Sequence, residues 1–204
     1  MTDPDHSDRR AASVRRAAAA LRAGETVVYP TETVYGLGAD ATDPAAVERV
    51  FDLKGRPREK PLSAGFPTVA AAARYTRPTA RETRFMRTFL PGPVTVVVER
   101  DPTLPPVLTA GRDRVGVRVP AHDLALSLLA AAGRPVTATS ANRSGEPSVR
   151  RVTDLDEEIE SGVAAVVDDG ETSGGGSTVV DPGRGEIHRE GPLDDAVRAW
   201  LKKT

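Results

Sequence analysis

Residues 115–139, VGVRVPAHDLALSLLAAAGRPVTAT, predict a strand, a helix and a second strand in succession. The valine-rich run 115–119 suits a strand, and the alanine- and leucine-rich run 121–132 suits a helix that ends at Gly133. Residues 135–139 form the second short strand. Alternation of strands and helices at this spacing is typical of an α/β sheet covered by helices.

The same alternation continues on both sides of this stretch. Further helices are predicted at 8–23, 44–54, 67–74, 79–90, 154–160 and 192–202. Further strands are predicted at 26–29, 94–99, 163–167, 178–180 and, in a hairpin-like segment, 186–189. The last two strands follow one another without a helix between them, which implies an antiparallel pair. The predicted fold is therefore α/β with a mixed, parallel and antiparallel, open sheet flanked by helices.

Helix boundaries are marked by capping residues. Asp43 followed by Pro44 is an N-cap with a proline at the first helical position. Asp8 is the predicted N-cap of the first helix, and Thr153 is the predicted N-cap of helix 154–160.

Length and composition favour a single ordinary domain. The chain has 204 residues, 39% hydrophobic and 28% charged, so we predict one domain over 8–203 preceded by a polar, disordered tail over 1–7. The absence of cysteine excludes disulfides and thiol chemistry. No apolar run approaches the roughly 20 residues of a membrane span, and the polar start is unlike a secretory signal. We expect a soluble cytoplasmic protein with no membrane partner.

Charge is distributed unevenly along the chain. Residues 1–150 carry 22 Lys and Arg against 16 Asp and Glu, whereas 151–204 carry 6 against 13. A basic body is compatible with an anionic ligand such as a nucleotide or a nucleic acid, and equally with ordinary surface decoration.

Several common sites are excluded by the sequence. The glycines at 174–176 lead into Ser177 without the lysine of a phosphate-binding P-loop, and no nucleophile elbow is present. His6, His122 and His188 are isolated and show no metal-ligand spacing.

The strongest basic cluster lies in the proline-stiffened loop after helix 44–54. Lys54, Arg56 and Lys60 place three cations within seven residues. Arginine offers a bidentate fork and lysine a point charge, so the group suits a polyphosphate. A solvated basic turn is the alternative.

Other loops that follow strands carry hydroxyls and amides. Ser140 and Asn142 offer these groups after strand 135–139, where an ordinary Asx or Ser turn is the alternative. The segment 31–35, which includes Thr33 and Tyr35, can hold an amino acid through hydroxyls and one carboxylate, or serve as a turn.

An arginine lies inside the apolar strand VGVRV. Arg118 needs an anion there, either the carboxylate of a ligand or a structural partner such as Glu32 or Asp181. Ser177, after three glycines, belongs either to an anion-binding nest or to a flexible hairpin.

Six segments in this order resemble the YrdC-like family. They are PTETVYGLG (30–38), KGRPREKPL (54–62), PGPVT (91–95), VGVRVP (115–120), TSANRSG (139–145) and STVVD (177–181). The resemblance covers about residues 10–200 and implies the short, stand-alone form. It implies a twisted mixed sheet with a basic concave cavity.

The resemblance also implies an activity. The family condenses L-threonine, bicarbonate and ATP, with Mg²⁺, into L-threonylcarbamoyladenylate and pyrophosphate. A separate transferase complex then modifies tRNA, and the basic cavity implies contact with tRNA or other RNA.

Site residues follow by resemblance. The residues implied to bind ATP are Lys54, Arg56, Lys60, Asn142, Ser148 and Arg189. Those implied to bind threonine are Thr33, Arg118, Ser140 and Ser177. The catalytic set is Lys54, Arg56 and Ser140, and no metal ligand from the protein is implied.

Four features depart from the family pattern. Gly65 stands where a polar residue is common, Arg114 where threonine is common, and Arg150 where a small residue is usual. The glycines at 174–176 replace the Glu or Pro found in relatives.

Three alternatives to the synthase interpretation remain open. The chain can be a non-catalytic or altered paralogue, or a module that binds double-stranded RNA or tRNA through phosphates. The low aromatic content of 4% argues against base stacking. A carbamoyl-adenylate domain of the hydrogenase-maturation type is the third, although such domains normally lie in longer chains.

Overall fold

A computed structural model describes residues 4–203, with side chains from residue 8 onward. Its centre is a nine-stranded mixed sheet in the order β7-β1-β2-β6-β3-β5-β4-β8-β9. The strands are β1 Val27–Tyr29, β2 Gly36–Gly38, β3 Ser63–Gly65, β4 Val94–Glu99, β5 Arg114–Arg118, β6 Val136–Ser140, β7 Ala165–Val166, β8 Thr178–Asp181 and β9 Glu186–Arg189. The α/β class and the mixed sheet predicted from the sequence are confirmed.

Helices cover the sheet. They are α1 Pro4–Arg22, α2 Pro44–Lys54, α3 Val69–Ala72, α4 Ala80–Phe89, α5 Asp123–Ala132, α6 Glu157–Gly162 and α7 Asp194–Lys202. Short 3₁₀ turns lie at Pro106–Thr109 and Val152–Asp154. Within residues 4–203, no helix is long and apolar enough to cross a membrane.

Parallel and antiparallel pairs are interspersed in the sheet. Strand pairs β1/β7, β3/β5 and β4/β8 are parallel, and the other neighbours are antiparallel. The predicted C-terminal pair is present as β8/β9, with a register shift at Val179/Val180. Placing β8 beside β4 adds the C-terminal pair β8/β9 at one edge of the sheet.

Neighbouring residues of β1 serve two separate cores. Val27 packs with Leu21 of α1 and Leu128 of α5 in one cluster, whereas Val28 belongs to the larger cluster that contains Phe51 and Phe85. Successive side chains of a strand point to opposite faces, so the sheet separates two apolar layers.

Two strands were missed by the sequence analysis because glycines form much of them. Strand β2 runs through Gly36–Gly38, inside a segment predicted to be a loop, and β3 ends at Gly65. A β-carbon at Gly38 would lie 2.7 Å from Cγ1 of Val136. Close approach of β2 and β6 therefore requires glycine there, although glycine is a poor strand former by propensity.

Two predicted helix starts are wrong. Helix α1 begins at Pro4, so Asp8 lies inside it, and residues 4–7 of the predicted tail are helical. Proline favours the first helical position, which explains the earlier start. Residues 1–3 of that tail lie outside the described residues.

The predicted cap at Thr153 is the second correction. Thr153 lies within the 3₁₀ turn, and Asp156 caps α6 by accepting a hydrogen bond from the Glu158 amide at 3.0 Å. The stronger acceptor, an aspartate carboxylate, starts the helix three residues later. By contrast, the predicted cap at Asp43 is confirmed.

A buried ion cluster fixes the strands that carry the central loops. Arg114 on β5 donates to Glu82 Oε1 of α4 at 2.7 Å and to Asp181 Oδ1 of β8 at 2.8 Å. The side chains of Glu82 and Asp181 are 2% and 1% exposed. Burial raises the pKa of Glu82, but the hydrogen bond from the Thr79 amide and then the Arg114 guanidinium hold that pKa below its usual value.

Removal of this arginine tests the cluster. We expect Arg114→Met to lower the free energy of unfolding by about 3–5 kcal/mol, because buried Glu82 loses its counter-charge and buried Asp181 keeps only Arg184, at 3.8 Å. Urea unfolding measures this loss. The difference in free energy of unfolding between the variant and the wild type should shrink between pH 7 and pH 4, because the carboxylates left without Arg114 take up protons. The control Arg77→Ala, which removes an exposed pair with Asp101, should cost less than about 1 kcal/mol. Equal losses in the two variants would contradict the buried cluster.

Candidate functional site

A cavity of about 610 Å³ opens over the middle of the sheet. Strand β5 forms its floor in a period of two: Arg114, Gly116 and Arg118 line the cavity, whereas Val115 and Val117 are buried in the core. Strand β4 alternates in the same way as β5, since Thr95 and Val97 face the cavity. The sheet thus supplies one polar face to this space and one apolar face to the core.

The cavity is strongly basic. Its lining contains one carboxylate, Asp113, and six arginines: Arg56, Arg112, Arg114, Arg118, Arg184 and Arg189. Such a concentration of guanidinium groups suits an anion with several charged oxygens.

Hydroxyl groups cluster at one end of the cavity. Thr33 Oγ1 lies 3.0 Å from Thr31 Oγ1, and Ser177 Oγ lies 2.8 Å from Thr95 Oγ1. Arg189 donates to both Oγ and the carbonyl of Ser177 at 2.9 Å. These groups are small hydrogen-bonding partners held in fixed positions.

Arg118 lies beside these hydroxyls and already has a carboxylate partner. Its Nη2 donates to Glu32 Oε1 at 2.7 Å, and its Nη1 donates to the carbonyl of Val94 at 3.3 Å. Of the two structural partners considered from the sequence, Glu32 is the one present, whereas Asp181 pairs with Arg114. The guanidinium still lines the cavity.

Arg56 is held at the cavity wall by the loop that follows it. Its Nε donates to the carbonyl of Lys60 and its Nη2 to that of Pro61, both at 2.9 Å. These two bonds do not involve Nη1, and they fix the plane of the guanidinium. Lys60 contributes only its backbone, and its side chain is exposed and outside the cavity lining.

Lys54 lies behind the cavity rather than in its lining. Its residue is 2% exposed, and Nζ donates to the carbonyls of Ser140 and Asn142 at 2.5 Å. The Ser144 amide in turn donates to the Lys54 carbonyl at 2.8 Å. This differs from the expectation that Lys54 holds a triphosphate directly, because the ammonium is occupied in joining α2 to the loop after β6.

Four cations form a row in which each one repels the next: Lys54, Arg56, Arg189 and Arg118. Burial and then the Arg56 charge lower the pKa of Lys54 to about 8. Burial and then Arg189 lower the pKa of Arg56, and burial and then Arg118 lower that of Arg189. Among the described residues, only Arg118 of these four forms an ion pair with a carboxylate. The row is therefore deficient in negative charge.

Asn142 and Ser148 lie at a second, adjoining cavity of about 500 Å³. Asn142 Nδ2 donates to the carbonyls of Arg143 and Glu146, whereas its buried Oδ1 has no partner among the described residues. Ser148 lines both cavities. A ligand in the second cavity can thus continue into the first.

The structure gathers most of the residues selected from the sequence. Those that line the main cavity are Thr33, Arg56, Arg118, Ser140, Ser148, Ser177 and Arg189. Asn142 lies next door, Lys54 lies beneath, and Lys60 points elsewhere. The roles in binding and catalysis assigned by resemblance stay predictions.

Tyr35, considered with the amino-acid loop, turns away from the cavity. Its side chain is buried, and its hydroxyl lies 2.7 Å from the carbonyl of Gly170 and 2.9 Å from Asp168 Oδ1. The Tyr35 hydroxyl also accepts from the Asp169 amide. It ties the motif loop to the segment after β7.

Several lining residues were missed by the sequence analysis. They are Ser63, Thr95, Arg112, Arg184 and His188, with Arg114, which the sequence marks only as a departure from the family pattern. The period-two pattern of 94–98 and 114–118 carries a usable signal, because every second residue there faces the cavity. No pattern in the sequence identifies Arg184 or His188 as cavity-lining residues.

Gly65, another departure from the family pattern, lines the cavity. The other departures from that pattern have local partners. Arg150 pairs with Glu171 at 2.7 Å and donates to the carbonyl of Thr172 at 3.1 Å. The Gly174 amide donates to the carbonyl of Thr33 at 2.6 Å. The glycine segment is thus anchored at the threonine-rich end of the cavity.

No resident metal site is evident in the described part of the chain. There, no group of three or more His, Cys, Asp or Glu residues is arranged to hold a metal ion.

Comparisons with known proteins agree on one family. The model of the Sua5/YciO/YrdC domain, described as "Telomere recombination", matches residues 19–191. The chain is 41% identical over 170 residues to a threonylcarbamoyl-AMP synthase of Pyrococcus abyssi (strain GE5 / Orsay), which covers 82% of this chain and 50% of that protein. It is 38% identical over 169 residues to one of Bacillus subtilis (strain 168), with coverages of 82% and 49%. The chain therefore spans about half the length of these two relatives.

Another relative and two solved structures extend the comparison. A human threonylcarbamoyl-AMP synthase is 36% identical over 201 residues, 94% of this chain and 71% of that protein. The crystal structure of P. abyssi Sua5 complexed with L-threonine has a TM-score of 0.84 at 39% identity, covering 90% of this chain and 56% of that one. E. coli YciO has a TM-score of 0.78 at 25% identity, covering 87% and 88%. The chain belongs to the Sua5/YciO/YrdC family.

Proposed function

We propose that this protein is an L-threonylcarbamoyladenylate synthase, a nucleotidyltransferase that condenses L-threonine, bicarbonate and ATP and releases pyrophosphate. Arg56 and Arg189 carry the proposal, because both line a cavity that also holds the hydroxyls of Thr33 and Ser177, and neither forms an ion pair with a carboxylate among the described residues. The names of the relatives support the same reaction.

The two ends of the cavity suit the two substrates. Thr33, Ser177 and Arg118 would hold threonine by its hydroxyl, amine and carboxylate. The similar protein P. abyssi Sua5 has been solved in complex with L-threonine. Arg56 and Arg189 would hold the triphosphate of ATP. Bound there, the two reacting groups would meet near Ser140.

The nucleotide is proposed to extend toward the second cavity. Asn142 has an unpartnered acceptor there, and Ser148 lines the passage between the two spaces. An adenosine offers amino and hydroxyl donors for such an acceptor. The loop held by Lys54 would thus lie between the two substrates.

The proposed chemistry needs positioning and charge neutralisation rather than a protein nucleophile. Bicarbonate takes up a proton and loses water to give carbon dioxide. The neutral threonine amine adds to carbon dioxide and loses a proton, which gives a carbamate. A carbamate oxygen then attacks the α-phosphorus, the bond to the bridging oxygen breaks, and pyrophosphate leaves. Arg56 and Arg189 neutralise charge that builds up on the phosphates. Mg²⁺ would enter with ATP and share that task.

The product sets the wider role. Transfer of its threonylcarbamoyl group to tRNA would fall to a separate transferase complex in the cytoplasm, where ATP and tRNA are found. Contact of the basic cavity with tRNA or other RNA is a further expectation from its charge.

Pyrophosphate release tests the proposal. Incubation with Mg-ATP should release pyrophosphate only when both L-threonine and bicarbonate are present, and mass spectrometry should detect the threonylcarbamoyl adduct of AMP. L-Alanine is the matched control substrate, because it lacks the hydroxyl. Tight, salt-sensitive RNA binding without threonine-dependent release would instead favour a non-catalytic RNA-binding paralogue.

Substitution of Arg56 tests the phosphate end. Arg56→Ala should raise the KM for ATP or lower kcat by about 10- to 100-fold, equivalent to about 1.4–2.8 kcal/mol. The free energy of unfolding should change by less than about 1 kcal/mol, because the substitution removes a repelling cation together with two hydrogen bonds. The control Arg58→Ala removes an exposed arginine that pairs with Glu48 and Asp52 outside the cavity, so its kinetics should stay unchanged. Unaltered kinetics in Arg56→Ala would remove that residue from the site.

Substitution of Lys54 separates positioning from direct binding. Lys54→Met removes two hydrogen bonds from an ammonium to backbone carbonyls, so the free energy of unfolding should fall by about 2–4 kcal/mol. Pyrophosphate release should fall at least about tenfold at temperatures where the variant is folded, because Ser140 and Asn142 lose their fixed positions.

The control for this variant is Lys202→Met, an exposed lysine of α7. It should change stability by no more than about 0.5 kcal/mol. Circular dichroism and denaturant titration provide both values. Wild-type stability in Lys54→Met would contradict the buried bonds, and full activity with reduced stability would contradict the positioning role.

A further inference from the structure

Behind Arg118 lies a chain of charged groups that leads away from the cavity. Glu32, which pairs with Arg118 at 2.7 Å, follows β1. His122, just before α5, places Nε2 3.3 Å from Oδ2 of Asp169. Oδ1 of the same carboxylate is paired with Arg10 of α1. The pair Arg118–Glu32 borders the cavity, the group His122–Asp169–Arg10 borders α1 and α5, and the charge of Glu32 acts on His122 between them.

Two atoms in this series are buried without partners. They are Oε2 of Glu32 and Nδ1 of His122, neither of which has a hydrogen-bond partner among the described residues. The Glu32 carboxylate oxygen is an acceptor that lacks a donor. When Nε2 of His122 carries the proton, Nδ1 is also a bare acceptor, and one added proton turns it into a donor. One proton on His122 would therefore make the two groups complementary, a donor and an acceptor, and the charge of Glu32 already acts on His122.

The groups around His122 oppose and favour that proton in turn. Glu32, Asp123 and Asp169 contribute negative charge, whereas Arg10 contributes positive charge. Burial is the largest influence and lowers the pKa of His122 below 6.5; the Glu32 and Asp123 charges raise it in part, and Arg10 lowers it. In the ligand-free protein His122 is accordingly neutral at pH 7, and Glu32 remains with Arg118.

We propose that His122 is a positioning residue for the amino-acid end of the cavity: when a substrate carboxylate takes Arg118, Glu32 turns its free oxygen to a protonated His122. The inference rests on the proposed threonine binding. It assigns to Glu32 an exchange of partners, from Arg118 to His122. The exchange avoids leaving a carboxylate unpaired when two carboxylates compete for one guanidinium.

The sign of the pH dependence follows from linkage. Binding that creates an acceptor for the His122 proton raises the pKa of His122, so protonation must tighten binding by the same factor. Threonine itself keeps one charge state between pH 5 and pH 7.5, because its carboxyl and amino groups titrate well outside this window. The dissociation constant for threonine should fall about 3- to 10-fold from pH 7.5 to pH 5.

Calorimetry and NMR on the full chain test the exchange. Threonine titrations at pH 5, 6 and 7.5, in buffers of different ionisation enthalpy, measure affinity and proton uptake. The imidazole resonances give the pKa of His122 with and without threonine, and His122→Gln identifies its signal. We expect proton uptake and a raised pKa in the wild type. His122→Gln should bind threonine with the same affinity throughout this pH range.

Two carboxylate variants form a matched pair. Glu32→Gln should abolish the threonine-induced shift in the His122 pKa, since the exchanging carboxylate is gone. Asp123→Asn removes an exposed carboxylate that also influences His122 but has no bond to Arg118. It should lower the pKa of His122 yet leave the threonine-induced shift in place.

The outcomes distinguish this inference from the proposed function. Threonine binding without proton uptake, with an unchanged His122 pKa, would overturn the inference while leaving the synthase proposal intact. A shift that persists in Glu32→Gln would also overturn it, because the effect would then bypass Glu32. Absence of threonine binding at every pH, together with absence of threonine-dependent pyrophosphate release, would overturn both.

Discussion

The buried ammonium of Lys54 joins two parts of the chain that are far apart in sequence. It donates to the carbonyls of Ser140 and Asn142, and the Ser144 amide returns a bond to the Lys54 carbonyl. Because Lys54 is the last residue of α2, the position of that helix determines where the loop after β6 lies. The positions of Ser140, Asn142 and the adjoining second cavity depend on this contact.

Strands β4 and β5 fix the rest of the site by alternation. One face of each carries valines into the core, and the other carries Thr95, Arg114 and Arg118 toward the cavity. A β-carbon at Gly116 would lie 2.5 Å from Ser63 Oγ, so glycine is required for β3, β4 and β5 to meet there. The cavity floor is consequently part of the sheet, and strand pairing sets the backbone positions of Arg114 and Arg118.

The sequence predicted the elements whose periodicity and caps are strong, such as α2 after Asp43 and the valine strands β4 and β5. It missed β2 and β3 because their glycines signal loops, and the need for glycine at Gly38 comes from a contact with Val136 that is distant along the chain. Residue types pointed to most of the site, since hydroxyls and arginines followed strand ends. The sequence did not reveal side-chain direction: Lys54 and Lys60 have the same chemistry, yet one is buried beneath the loop and the other is exposed. The sequence also could not show which carboxylate pairs with Arg118, because Glu32 and Asp181 are both distant from it along the chain.

Charge placement links stability to binding in this fold. Arg114 is neutralised by two buried carboxylates and so contributes to the fold, whereas Arg56 and Arg189 form no ion pair with a carboxylate among the described residues. The lowered pKa values of this second group mean that the folded protein holds these cations at a cost in free energy. An anion bound between them would recover that cost and thereby stabilise the folded state. The same imbalance that weakens the free protein therefore provides affinity for a polyphosphate, and neutralising the row by mutation would exchange binding for stability.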